Sequence, residues 1–137
     1  MSSMKSRFVF DTGPIFLYFA GDKHVKEMFD EVAAGRAEGY TCETNIAELY
    51  YKTCEKLGRE VAEVRCASIR HSKTSILVVD ERLTRIAGGF KCIHRGKISL
   101  VDAYILAATK VLDGILITTD PQLEELNLVQ TKLLPIP

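Results

Sequence analysis

Short β-prone runs alternate with helical patterns along nearly the whole chain, and this alternation restricts the possible folds more than any other feature. Strands in such an order pair in parallel, because each intervening helix carries the chain back across the sheet. The predicted strands cover residues 7–10, 39–42, 75–79 and 115–117, with an edge strand at 132–135. The predicted helices cover residues 23–34, 45–57, 60–71, 80–93, 99–113 and 121–126. We therefore expect a single-domain α/β fold over residues 1–137, a three-layer sandwich with a central, mainly parallel sheet.

Local signals predict several helix ends. Thr44 is expected to N-cap the helix over 45–57, and Asp80 the helix that follows the third strand. Pro14 fits the first turn of a helix that begins after the first strand. The adjacent pair Gly88-Gly89 is expected to weaken its helix at the middle, since glycine is a poor helix former.

Four acidic residues stand out because of where they lie relative to these elements. Asp11 directly follows the first strand, and Asp120 lies shortly after the Ile-Leu-Ile strand at 115–117. Asp102 is in the first turn of the helix from residue 99, and Glu48 is near the start of the helix after the second strand. These positions all favour the carboxyl edge of the sheet, where open α/β sheets bind ligands.

Each acid also has an ordinary structural interpretation. Asp11 fits an Asp-Thr-Gly turn, and Glu48 lies four residues before Lys52 and fits an ion pair on the helix surface. Asp102 matches a capping box with Ser99, and Asp120 before a proline is a good N-cap. Taken one at a time, these roles compete with a functional one.

Together, the four carboxylates favour a metal site. Acids gathered at one edge repel one another and lose hydration, and a hard divalent cation relieves that repulsion. Mg²⁺ prefers oxygen ligands, and such a site suits phosphodiester hydrolysis. The spacing leaves open whether one or two ions bind.

The chain resembles the PIN-domain ribonucleases in four motifs that occur in the family's order. Residues 8–12 (Phe-Val-Phe-Asp-Thr) are similar to the opening strand and first acid, and residues 44–49 (Thr-Asn-Ile-Ala-Glu-Leu) to the second motif. Residues 99–108 and 116–120 are similar to the third and fourth. Gly13 and Pro121 depart from the pattern, since polar or charged residues are common at both positions in the family.

The resemblance implies a Rossmann-like parallel sheet and endonucleolytic cleavage of RNA. It implies that Mg²⁺ or Mn²⁺ is held by Asp11, Glu48, Asp102 and Asp120. The family also uses hydroxyl groups beside the acids, which correspond to Thr12 and Thr118. Many small members are VapC-like toxins, which form homodimers and are inhibited by an antitoxin protein.

A few residues outside the acid quartet are candidates for RNA binding. Lys91, His94, Arg95 and Lys97 precede the Asp102 helix, and residues 46–112 carry an excess of basic side chains. Such charges suit RNA phosphates, while Tyr51 is placed to stack on an unpaired base. A solvated loop or helix surface explains the same residues equally well.

Composition excludes some classes of protein. The formal net charge is 0, which argues against strong non-specific binding to nucleic acid. Neither a membrane-spanning run nor an apolar leader is evident, so we expect a cytoplasmic protein. Cys42, Cys54, Cys66 and Cys92 lack zinc-like spacing and are expected to be free, buried thiols.

The leading hypothesis is a metal-dependent endoribonuclease, as the toxin of a toxin–antitoxin pair or as a housekeeping RNA-processing enzyme. A non-catalytic RNA- or protein-binding module on the same fold is the main alternative, but it predicts the loss of acids that are present here. A phospho-receiver needs an adjacent acidic pair near its first strand. A phosphatase with an aspartate nucleophile needs Asp-x-Asp there, and Asp11-Thr12-Gly13 provides neither.

Overall fold

The computed structural model describes residues 4–137. The strands are β1 (Arg7–Phe10), β2 (Glu38–Cys42), β3 (Ser75–Leu77), β4 (Ile115–Thr118) and β5 (Thr131–Leu133). The helices are α1 (Thr12–Phe19), α2 (Lys23–Ala33), α3 (Glu43–Leu57), α4 (Arg59–Arg70), α5 (Glu81–Ile93), α6 (Leu100–Leu112) and α7 (Pro121–Leu126).

The five strands form one sheet in the order β3-β2-β1-β4-β5, and every pair is parallel. The prediction of a mainly parallel sheet is confirmed. The chain starts in the middle, builds outward through β2 and β3, and then returns to add β4 and β5 on the other side of β1. The order therefore reverses between β1 and β4, and a crevice is expected at the carboxyl ends of these two strands.

Alternate residues of the strands face two separate hydrophobic cores. Phe10 and Ile117 are in the core formed with α1 to α4, while Val9 and Leu116 are in the core formed with α5 to α7. All four side chains are fully buried. Helices therefore cover both faces of the sheet, which confirms the predicted three-layer sandwich.

Several predicted boundaries are wrong. The third strand ends at Leu77 instead of residue 79, and Val78 and Val79 are exposed. Thr44 does not cap the helix predicted over 45–57, because that helix, α3, begins at Glu43 with Cys42 as its N-cap. The edge strand spans Thr131–Leu133, so it begins one residue before the predicted start and ends two residues before the predicted end. These errors are small. They arise because backbone hydrogen bonding determines where an element ends, and residue type alone does not show it.

The glycine pair in α5 does not interrupt the helix, which is continuous from Glu81 to Ile93. No atom lies within 4 Å of an ideal Cβ at either Gly88 or Gly89, so these two positions do not need glycine for packing. The buried residues Leu83 and Ala87 instead anchor the helix in the core that it shares with α6. Packing thus outweighs the weak local propensity.

The cysteine prediction is confirmed in one respect and wrong in another. All four cysteines are free, but only Cys42 and Cys66 are buried, while Cys54 is half-buried and Cys92 is exposed on α5. Among residues 4–137, no helix combines the length and the apolarity needed to cross a lipid bilayer.

Candidate active site

The four predicted acids occupy the carboxyl side of the sheet around its point of reversal. Asp11 follows β1 directly and Asp120 lies two residues after β4, on the two strands between which the order reverses. Glu48 lies in the second turn of α3, which leaves the end of β2 without a loop. Asp102 is the third residue of α6. Parallel strands bring these elements to one edge, as the sequence predicted.

Asp11 is the most constrained acid. Its side chain is only 7% exposed, and it N-caps α1 by accepting a hydrogen bond of 2.9 Å from the Thr12 N–H at Oδ1. Oδ2 accepts a 2.8 Å hydrogen bond from the Thr118 hydroxyl, and Oδ1 also accepts a 3.3 Å bond from the Asn45 amide. Groups from α1, β4 and α3 therefore fix one carboxylate.

The environment of Asp11 opposes its ionisation. Burial raises the pKa of Asp11 from 3.8 to about 6, although the hydrogen bonds from Thr118 and Thr12 lower it. The negative charges of Asp102 and Glu48 contribute to this rise in the pKa of Asp11. These charges act on Asp11 because the three carboxylates lie near one another, so a cation placed among them would relieve an unfavourable arrangement.

Asp102 is held by its own helix terminus. The Ser99 hydroxyl accepts a 3.0 Å hydrogen bond from the Asp102 N–H, and the Asp102 carboxylate accepts a 2.9 Å bond from the Ser99 N–H. This is the predicted capping box. Partial burial raises the pKa of Asp102, the Ser99 hydrogen bonds lower it, and the charges of Asp120 and Glu48 raise it.

Glu48 and Asp120 complete the group, and each also has the local partner that the sequence indicated. Glu48 Oε2 lies 3.4 Å from the Lys52 ammonium nitrogen, and the Glu48 side chain is only 16% exposed. Asp120 caps α7 by accepting a 2.9 Å hydrogen bond from the Gln122 N–H. Glu48 and Asp120 therefore keep their local structural roles while they lie in the same group of acids.

The two threonines predicted to support the acids both lie in the site. The buried Thr118 hydroxyl donates to Asp11 and accepts a 3.1 Å hydrogen bond from the Asp120 N–H, so it links two of the acids. The Thr12 hydroxyl accepts a 2.9 Å hydrogen bond from the Asn45 amide. The Thr118 hydroxyl thus holds Asp11 directly, whereas the Thr12 hydroxyl acts through Asn45.

Asn45 is a site residue to which the sequence assigned no role. It is fully buried, and its amide nitrogen donates to both Asp11 and Thr12, while its Oδ1 has no hydrogen-bond partner in residues 4–137. A signal was present, since Asn45 lies in line with Leu49 and Thr53 at four-residue intervals on the buried face of α3. A large polar side chain in such a line needs a partner.

Gly13 departs from the family pattern, and the structure gives a steric reason. A side chain at Gly13 would collide with the hydroxyl of Thr119, which fills the space beside the α1 N-terminus. The Thr119 hydroxyl therefore takes the room that a side chain at residue 13 would need.

The predicted RNA-binding residues differ in whether their side chains are free to contact a ligand. The Lys91 ammonium donates a 2.7 Å hydrogen bond to the Ile98 carbonyl and so fixes the segment that leads into α6. Arg95 and Lys97 are exposed, and Tyr51 is 48% exposed on α3. The structure thus gives Lys91 a structural partner and leaves the other three accessible.

The residues present fit a hard divalent cation. All four candidate ligands are carboxylates, and two of them have pKa values raised in part by their neighbours' charges. Within residues 4–137, no three carboxylate, imidazole or thiol groups are already close enough together to form a complete metal site. Mg²⁺ tolerates this, since it usually keeps several waters and needs only one or two direct carboxylates.

The parallel sheet with acids at the reversal of its strand order places the protein in the class of Rossmann-like α/β sandwiches. Comparison with known proteins identifies the family. The model of the PIN domain matches residues 8–128, so the chain belongs to the PIN domain family. A search of curated proteins by sequence found no match.

Solved structures of the same fold include toxin–antitoxin proteins. VapBC2 from Rickettsia felis, bound to promoter DNA, is 16% identical with a TM-score of 0.73, and the match covers 93% of this chain and 98% of that one. VapC20 from Mycobacterium tuberculosis, described as a toxin that cleaves the sarcin–ricin loop, is 20% identical with a TM-score of 0.71, covering 91% and 98%. VapBC-1 from Haemophilus influenzae is 15% identical with a TM-score of 0.70, covering 93% and 97%.

Proposed function

We propose that this protein is an endoribonuclease that depends on Mg²⁺ or Mn²⁺ and cleaves RNA at the acid site. The observation that carries the proposal is the group of four carboxylates around the buried Asp11, at the reversal of strand order in a PIN domain. The mutual repulsion of these acids favours a bound cation.

The chain's own residues divide the work at this site. Asp11 and Asp102 are proposed as direct ligands, and Glu48 and Asp120 as ligands that act directly or through water. Thr118, Thr12 and Asn45 keep Asp11 in position through hydrogen bonds. When bound, the cation orients the scissile phosphate, stabilises its developing charge and lowers the pKa of an attacking water.

The biological role is proposed to be that of a toxin held in check by an antitoxin protein, with the toxin acting in the cytoplasm as a homodimer. Support comes from the VapBC complexes that share this fold. A housekeeping role in RNA processing is the competing proposal. Expression of the chain alone should arrest growth, and co-expression of the product of a neighbouring gene should relieve the arrest. Harmless expression in several hosts would favour the processing role.

The activity is tested by incubating RNA with the purified protein and Mg²⁺, Mn²⁺ or EDTA. We expect cleavage with either metal and none in EDTA. The cleavage rate of Asp102→Asn should fall by more than about 100-fold, which exceeds the usual effect of removing a group that only supports a metal ligand. Asparagine is nearly the same size as aspartate and keeps an oxygen for the Ser99 N–H, so the helix terminus should persist. Cleavage that survives both EDTA and Asp102→Asn would rule out the mechanism.

A further inference from the structure

A basic groove opens next to the acid site between α1, α3 and α4. Its volume is about 340 Å³. It is lined by Phe16, Lys52, Thr53, Lys56, Leu57 and Arg65. We call it the α3 groove. Lys52 connects it to the acid site, because the Lys52 ammonium nitrogen lies 3.4 Å from the Glu48 carboxylate.

The α3 groove carries positive charge, and Lys52 is the one cation of the groove that is ion-paired within residues 4–137, with Glu48. Three of its six lining residues are cationic and none is acidic. Lys56 and Arg65 form no ion pair with any residue in the range 4–137. The Arg65 guanidinium lies 5.1 Å from the centre of the Phe19 ring, so its position is restrained while its charge stays available.

The cations are arranged in a row that starts at the acids. Glu48, Lys52 and Lys56 follow one another at four-residue intervals on α3, so each step moves about 6 Å away from the site. Arg65 reaches the same groove from α4. A polyanion with one phosphodiester bond at the acids therefore meets positive charge along the groove.

Apolar surface lies beside the charges. Phe16 is partly buried in the groove wall, and Leu57 is 54% exposed at its far end. Single-stranded nucleic acid is bound by this combination, in which cations contact the backbone and apolar or aromatic side chains contact unpaired bases.

We propose that the α3 groove binds the backbone of single-stranded RNA adjacent to the scissile phosphate, with Lys52, Lys56 and Arg65 contacting phosphates. The inference rests on the proposed nuclease function and adds the path of its substrate. RNA is favoured over an acidic protein segment because the row of cations begins at the acid site. A protein partner would not require that continuity.

The test compares the wild type with the Lys56→Gln/Arg65→Gln double variant. A labelled single-stranded RNA of about 12 nucleotides is titrated in EDTA at several salt concentrations, and its cleavage is measured in Mn²⁺. The double variant should bind about tenfold more weakly and show a correspondingly raised KM. Its slope of log K against log salt should fall by about 1.4, which corresponds to two lost phosphate contacts.

Two controls separate charge from general damage. Lys23→Gln removes one charge from an exposed position on α2 and should leave binding and cleavage unchanged. Lys56→Arg/Arg65→Lys keeps both charges and should retain the salt slope of the wild type. Thermal unfolding of each variant checks that the fold is intact.

The outcomes distinguish the groove from the nuclease function. If the wild type cleaves RNA and the double variant has an unchanged KM and salt slope, the groove proposal is overturned and the nuclease proposal stands. If the slope falls as expected but no RNA is cleaved, the groove is supported and the nuclease proposal fails. If RNA binding is unchanged while binding of an acidic protein partner is lost, the groove is a protein-docking surface and the proposal is wrong.

Discussion

The two sides of the acid site are built differently. Asp11 is buried and is held by Thr118, which lies 107 residues away along the chain, and by Asn45, which lies 34 residues away. On the other side, Asp102 and Asp120 are less buried and bind backbone N–H groups of residues only 3 and 2 positions distant. Asp11 also caps its own helix, but it alone of the three is fixed by residues distant in the chain, whereas Asp102 and Asp120 are held by the ends of their own helices.

This difference predicts how ionisation of each acid affects the stability of the fold. Burial raises the pKa of Asp11 to about 6, so ionisation of Asp11 opposes folding when no cation is present. The capping acids stabilise the starts of their helices, because a carboxylate satisfies free N–H groups there. We therefore expect the buried charge of Asp11 to lower stability while serving the site, and the less buried Asp102 and Asp120 to contribute to both stability and function.

The largest expected effect on stability is at Asp11. The folded-state pKa of Asp11 lies above its ordinary value of 3.8, so protonation stabilises the fold fully below about pH 4, and this stabilisation is lost as the pH rises through about 6. In EDTA at pH 7.5, Asp11→Asn should therefore be more stable than the wild type, by up to about 3 kcal/mol. Urea unfolding between pH 4 and 7.5 measures this difference.

Manganese should change the sign of the Asp11 effect. The wild type should gain stability as Mn²⁺ saturates the site, whereas Asp11→Asn should gain much less. Asparagine keeps the N-cap of α1, so loss of the helix start is not expected to mask the result. A stability difference that stays constant from pH 4 to 7.5, or an equal response of both proteins to Mn²⁺, would contradict the comparison.

Asn45 should have the next largest effect. Asn45→Ala removes both hydrogen bonds that position Asp11 and Thr12, and groups that orient metal ligands are typically worth about 10- to 100-fold in metal affinity. Calorimetric titration with Mn²⁺ measures the loss. The matched control is Thr53→Val, on the same buried face of α3, where the hydroxyl has no hydrogen-bond partner in residues 4–137. An equal loss in both variants would mean that α3 is merely loosened.

The smallest expected effect is at the capping box of α6. Ser99→Ala removes the acceptor for the Asp102 N–H and should lower the free energy of unfolding by about 1 kcal/mol. Ser99→Thr should retain most of the stability, since threonine also caps helices. Thermal unfolding compares the three proteins. The cleavage rate should fall less in Ser99→Ala than in Asp102→Asn. An equal fall would contradict the comparison, because it would mean that Asp102, like Asp11, depends strongly on the residues that hold it.

Most of the fold and the local roles of the acids were predictable because they depend on short-range signals. The alternation of strands and helices predicted the parallel sheet, and the capping box of Ser99 with Asp102 was visible three residues apart. Helix faces were less predictable. Val64 and Ile93 fit the apolar periodicity of α4 and α5, yet they are 68% and 75% exposed. Periodicity indicates a face, but only packing decides how far burial extends along it.

The sequence by itself determined the class of fold and the positions of Asp11, Glu48, Asp102 and Asp120 after strands or at helix starts, because these features depend on neighbours within a few residues. Only the tertiary structure decided that Asn45 and Thr118 support Asp11, that Lys91 binds the Ile98 carbonyl, and that Lys52, Lys56 and Arg65 share a groove. Most of these contacts join residues from different elements. They follow from strand order and helix packing, which the pattern of a single chain leaves open.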